Sequence, residues 1–74
     1  MAATVLEAPV RQKLIRLPEV RKRVPLSRSM IYLMVSRGEF PKPVSLGRRS
    51  VAWVEAEVDA WVETQVSRSR RVAA

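Results

Sequence analysis

The sequence predicts a mainly α-helical domain with one small β-hairpin, and three observations carry that expectation. Two short amphipathic segments, about 18–23 and 28–37, flank a tight turn of about three residues marked by Pro25. Around Gly47 the apolar period drops to two. From about Glu55 to Val66 a helical period returns. Two helices across a tight turn, backed by a hairpin and a third helix, describe a winged helix-turn-helix. The expected form is three helices plus a wing of two to three strands. The chain has 74 residues, enough for one domain at most. The expected division is a flexible N-terminal arm over 1–12, the winged domain over 13–66, and a basic, loosely ordered tail over 67–74.

Each element has a local cause. Residues 1–12 show no period and contain Pro9. Leu14-Ile15-Arg16-Leu17 is short and apolar, a candidate strand. Pro18 suits a first helical turn, where its missing N–H costs nothing, and Glu19 there suits the helix dipole. This helix is expected to bury Val20 and Val24 and to leave Arg21, Lys22 and Arg23 in water. Pro25 ends it. Ser27 is a good N-cap, and Leu26 and Ile31 have the spacing of a hydrophobic staple. Ile31, Met34 and Val35 form the buried stripe of the second helix. Gly38 follows Arg37 as a left-handed C-terminal cap, with Pro41 beyond it.

Val44 and Leu46 then alternate with Ser45, and Val51 and Trp53 with Ser50 and Ala52, giving a hairpin with one apolar face. Gly47-Arg48-Arg49 is its turn. In the third helix Val54, Val58, Trp61 and Val62 fall on one face, and acids fill the first turns. Both tryptophans sit in apolar registers, which makes them core residues rather than base-stacking platforms.

Composition narrows the function classes. The chain contains no Cys and no His, which removes disulfides, Cys/His metal sites and the usual general base. No enzyme activity, catalytic residue, metal, cofactor or small-molecule ligand is expected. No segment reaches the roughly 20 apolar residues of a membrane span, and the N-terminus does not read as a signal peptide. A bacterial cytoplasmic, nucleoid-associated protein with no membrane partner is the expectation. The net charge is +7 and unevenly spread. Between Arg11 and Arg49, eleven Lys/Arg face only two acids, Glu19 and Glu39. Between Ser50 and Gln65 lie Glu55, Glu57, Asp59 and Glu63 and no base. A basic body with one acidic segment fits a protein that meets a polyanion with a defined face. Arg outnumbers Lys eleven to three, and Arg is the better bidentate ligand for phosphate and guanine.

The expected partner is double-stranded DNA. Arg28, Ser29, Tyr32 and Ser36 lie opposite the buried stripe of the second helix. A helix in the major groove uses its N-terminal residues on base edges, and Arg28 is placed for guanine O6/N7. Ser27 and Ser29 can bond phosphates or bases, and the Tyr32 hydroxyl can donate to a phosphate. Arg37 and Lys42 are further cationic candidates. Arg48 and Arg49, at the hairpin tip, either enter a minor groove or lie along phosphates. The acidic third helix is expected to face away from DNA.

A longer pattern is now visible. Arg16-Leu17-Pro18-Glu19-Val20 is followed by Leu26-Ser27-Arg28-Ser29 with Ile31-Tyr32, then by Gly38-Glu39-Phe40-Pro41-Lys42-Pro43-Val44. Leu46-Gly47-Arg48, Val51-Ala52-Trp53 and Glu57-Val58-Asp59-Ala60-Trp61 complete it. This string, over about residues 14–63, resembles the AlpA family of phage and prophage regulators. The resemblance implies a winged helix-turn-helix related to MerR-type DNA-binding domains and phage excisionases, and a role in controlling a mobile element. It implies DNA contact by Ser27, Arg28, Ser29 and Tyr32, and by a wing Arg at Arg48 or Arg49. The chain departs from the pattern at Met30, where Thr is usual, and at Leu33, where Arg or another polar residue is usual. These two either touch thymine methyls or make a protein contact. The function expected is a sequence-specific regulator of transcription in a prophage or integrative element. One alternative is an excisionase-like recombination directionality factor that binds attachment-site DNA cooperatively; another is a protein-binding antirepressor. Self-association, as a dimer or as cooperative neighbours on DNA, and an integrase are the further candidate partners.

Overall fold

A computed structural model of the chain describes residues 12–73. All but the last residue of the expected arm, 1–12, lies outside the described residues. The element order is β1 (Leu14–Ile15), α1 (Leu17–Arg23), α2 (Arg28–Ser36), β2 (Val44–Gly47), β3 (Ser50–Val54) and α3 (Glu55–Ala73). The strands form one antiparallel sheet in the order β1-β3-β2. Three helices and this small sheet are the winged helix-turn-helix the sequence predicts.

The helix-turn-helix is built by its caps. The Ser27 hydroxyl accepts from the Met30 amide at 3.1 Å, satisfying one of the free amides of the first turn of α2. Leu26 packs against the core beside Ile31, as a staple should. The other end closes as a Schellman motif: Gly38, with φ 74°, donates to Val35 at 3.1 Å, and Glu39 donates to Met34 at 2.8 Å. α1 starts one residue before Pro18 and ends where Val24 turns extended ahead of Pro25.

The core lies between the helices and β3. Trp53, Ile31, Val20 and Val58 are fully enclosed, joined by Ile15, Val24 and Phe40. β1 is only two residues long, yet it pairs Leu14 with Val54 and Ile15 with Trp53. The Glu55 amide donates to Lys13 O at 2.8 Å and carries that pairing into the start of α3.

Three expectations need correction. The hairpin is apolar on one face by sequence, but all four residues of β2 are exposed, Val44 and Leu46 included. β2 is an edge strand, and the buried apolar residues of the sheet come from β1 and the middle strand β3. Gly47 also belongs to β2, so the turn itself is Arg48-Arg49. Finally, α3 does not stop at Val66; it continues to Ala73 through the stretch expected to be a loosely ordered tail. No Gly or Pro interrupts 67–73, and Glu55 and Glu57 in the first turn with Arg70 and Arg71 in the last suit the helix dipole. Among the described residues no helix is long and apolar enough to cross a membrane.

Residues 67–71 are all exposed, so this extension should be separable from the core. Ser67→Pro should lower far-UV helical signal by one to two turns while moving Tm by no more than about 2 °C. A large fall in Tm would mean that the extension packs on the domain.

Candidate nucleic-acid interface

α2 presents two kinds of surface. Ile31 is buried, with Met34 and Val35 half-buried beside it, and these fix the inward side. Arg28, Ser29, Met30 and Leu33 are exposed. Tyr32 is not a free outward residue: it is half-buried, packs against the core, and meets Trp53 edge-to-face at 5.9 Å. The Arg28 guanidinium lies 5.3 Å over the Tyr32 ring, a cation–π contact worth about 0.5–1 kcal/mol at an exposed site. Arg28 therefore leaves the first turn of α2 on an aromatic support whose other contact is the core. The Trp53 indole N–H donates to Pro41 O at 2.9 Å, so the same tryptophan also holds the segment leading into β2.

The other candidates lie apart from this stack. Ser27 is committed to its cap bond. Arg37 is the C-cap residue of α2 and is exposed, as is Lys42. Arg48 and Arg49 form the hairpin tip, and both are exposed. Arg49 has φ 54°, a left-handed conformation uncommon for a side chain other than Gly, Asn or Asp. Gly47, at φ 151°, supplies the adjacent permissive position.

Leu33 is exposed together with Met30, as the departure of these two residues from the family pattern implies. Leu33 lies one turn beyond Ser29 and opposite Ile31. The helical wheel alone carries that signal.

Three of the acids are held in one cluster. Arg23, expected in water, is half-buried, and its guanidinium bonds Glu55 at 2.7 Å and Asp59 at 3.5 Å, with Glu19 at 3.6 Å. It cross-links α1 to the first turns of α3. The hydrogen bond from Arg23 holds the Glu55 carboxyl below its usual 4.5, against a smaller opposing effect of desolvation. The same bond raises the Arg23 pKa. Among the described residues Arg28, Arg37, Lys42, Arg48 and Arg49 have no ion-pair partner. Trp61, half-buried, donates to Glu39 O at 2.8 Å and meets Phe40 edge-to-face at 4.8 Å, closing α3 onto the end of α2.

Comparison with known proteins gives a consistent result. The family model described as "Prophage CP4-57 regulatory protein (AlpA)" matches residues 13–66. The uncharacterized protein ORF88 of Enterobacteria phage P4 is 43% identical, over 81% of this chain and 68% of that protein. The DNA-binding transcriptional activator AlpA of Escherichia coli (strain K12) is 36% identical, over 68% of this chain and 80% of that protein.

The Arg23 cluster has a consequence for acid stability. Because the folded-state pKa of Glu55 is depressed, its contribution is present above the unfolded value of 4.5 and is lost as pH falls through the lower folded value. Glu55→Gln should lower Tm at neutral pH and shallow the acid-side fall, measured by thermal unfolding between about pH 3 and pH 7. A variant that tracks the wild type at every pH would remove the cluster from any role in stability.

Proposed function

The chain belongs to the AlpA family of prophage regulatory proteins, and from that premise we propose that it binds duplex DNA sequence-specifically. The proposed role is regulation of transcription in a prophage or integrative element, at the nucleoid of a bacterial cytoplasm, by binding and not by catalysis. The relative in Escherichia coli named as a DNA-binding transcriptional activator supports this reading.

The observation that carries it is the stack of Arg28 on Tyr32 on Trp53. An arginine in the first turn of an exposed helix, braced by an aromatic ring tied to the core, is a pre-positioned donor pair for guanine O6/N7. Bracing lowers the side-chain entropy lost on binding. Tyr32 then acts chiefly by holding Arg28, with its hydroxyl secondary. Ser29 and Met30 follow Arg28 in the exposed first turn of α2, and Ser27 sets the helix start. Arg37 and Lys42 supply phosphate contacts. Arg48 and Arg49 form a second contact through the wing, and the left-handed backbone of Arg49 favours a functional reason for that tight tip. Glu55 and Asp59 of α3 are paired with Arg23 of α1, not with the cations of this surface.

Footprinting on the promoter and attachment-site DNA of the element tests the role as a whole. Protection of one site upstream of a promoter, with changed promoter output, supports the regulator; protection of repeated sites in an attachment region without it overturns the regulator in favour of excision.

Two mutational outcomes follow from the geometry. Arg28→Ala should cost about 1–3 kcal/mol on the preferred site and relax preference at one base pair, with Tyr32→Leu giving a partial copy of that loss and Tyr32→Phe little. An equal loss on preferred and random duplexes would sink the guanine assignment, and a large effect of Tyr32→Phe would restore the hydroxyl to the main role. Arg48→Ala combined with Arg49→Asn should weaken every duplex and flatten the dependence of affinity on salt by about two phosphate contacts. Asn tolerates the left-handed backbone, so folding is kept. An unchanged slope would mean that the wing does not meet the phosphates.

A further inference from the structure

Resting on the DNA-reading role proposed above, we propose that Leu33, flanked by Met30, reads the C5 methyl group of a thymine in the major groove. The strip of α2 farthest from the core runs through Ser29 and Leu33, one turn apart and both opposite the buried Ile31. Met30 lies three residues before Leu33 and shares its side of the helix. Each is 41% exposed, and neither belongs to the apolar cluster that builds the core. The centre of the outward surface is thus apolar, while its two ends are basic, with Arg28 at the start and Arg37 at the cap.

Two adjacent large apolar side chains in water mark a surface that is covered in use. The charge around them selects the cover. α2 carries no acidic residue, and its flanking arginines have no ion-pair partner among the described residues, so the surroundings suit a polyanion. A duplex offers mostly hydrogen-bonding groups in its major groove, and the thymine methyl is the apolar group it displays there. The Ser36 hydroxyl, three residues on, is engaged by its own helix and donates to Leu33 O at 2.7 Å. Leu33 therefore sits where a polar reader would otherwise stand. It pairs with Arg28 to describe a site in which a guanine contacted by Arg28 lies within one helical turn of a methyl-bearing thymine.

The test uses the full chain and a duplex selected from a random library. Each thymine is replaced in turn by uracil, which removes the methyl and keeps the pairing, and affinity is read by fluorescence anisotropy. The wild-type protein should lose about fourfold at one or two thymines, the size expected for one buried methyl. Leu33→Ala should bind the parent duplex more weakly and be indifferent to uracil at those positions, and Met30→Ala should reduce the uracil penalty in part. Leu33 and Met30 are surface residues, so both variants are checked for an unchanged Tm. A Leu33→Ala protein that still loses about fourfold at the same thymine overturns the proposal. So does one that binds a single site normally but fails to fill adjacent sites cooperatively, which would assign the patch to a neighbouring protein. A wild-type chain that selects no site overturns the DNA-reading role itself, a result distinct from either.

Discussion

The burial of one indole organises this domain. Trp53 sits in the middle strand of the sheet, fully enclosed, and three separate parts of the chain meet it. Ile15 in β1 is its cross-strand partner. Tyr32 brings α2 against it edge-on, and Pro41 accepts its N–H from the segment between α2 and β2. An aromatic of this size supplies both a large apolar area and one polar atom that must be satisfied. Truncation of a buried tryptophan typically costs about 3–5 kcal/mol. That is comparable to the whole stability of a small domain, whose single core buries a limited share of its surface. The fold depends on that contact because 74 residues provide few others of its size.

Charge is sorted by the same architecture. A chain of net charge +7 with an acidic segment could pair its charges at random over the surface. Instead Arg23 gathers Glu19, Glu55 and Asp59, with Lys22 also paired to Glu19. The cross-link runs from α1 to α3 and involves no residue of α2. One arginine is withdrawn from solvent, and three carboxylates are withdrawn from the field of the others. The result is a partial separation that composition alone does not dictate: three acids tied down at one junction, and cations without ion-pair partners among the described residues on α2 and the hairpin tip. Electrostatic attraction toward a polyanion grows with such separation, because the three paired acids offset the basic surface less.

Much of this was legible in the sequence, for physical reasons that also explain what was not. Ser27, Gly38 and Pro25 are local signals, each acting through its own backbone or hydroxyl, so the helix-turn-helix could be read residue by residue. The hairpin was legible from its period, but which of its strands would be covered was not. Coverage of β3 and exposure of β2 depend on the pairing of β1 with β3, a contact between residues 14–15 and 53–54. The extension of α3 was missed because a stretch of Ser and Arg reads as solvated, and a solvated stretch joined to an existing helix needs no new nucleation to continue it. The burial of Arg23 was not legible for a similar reason: Glu55 and Asp59, which draw it in, lie more than thirty residues away. In the candidate site, Arg28 and the wing arginines were found by position and type. The bracing role of Tyr32 needed the packing of α2 against Trp53 to be known.

The two proposed contacts share a common support, and this constrains how the protein would meet a duplex. Arg28 is braced through Tyr32 to Trp53, and Trp53 lies in the strand that begins directly after Arg49. The helix donor and the wing tip are thus two outputs of β3, and their spacing is set by a buried residue rather than by a flexible linker. A rigid spacing limits the freedom lost on binding to the outer atoms of a few long side chains. It also means that the duplex must present a base edge and a phosphate track at one fixed separation. A duplex of matching shape can do so at little cost, and any other must be deformed to fit. Specificity would then come from two sources at once: the groups facing Arg28 and Leu33, and the ease with which the flanking sequence lets its backbone reach the wing.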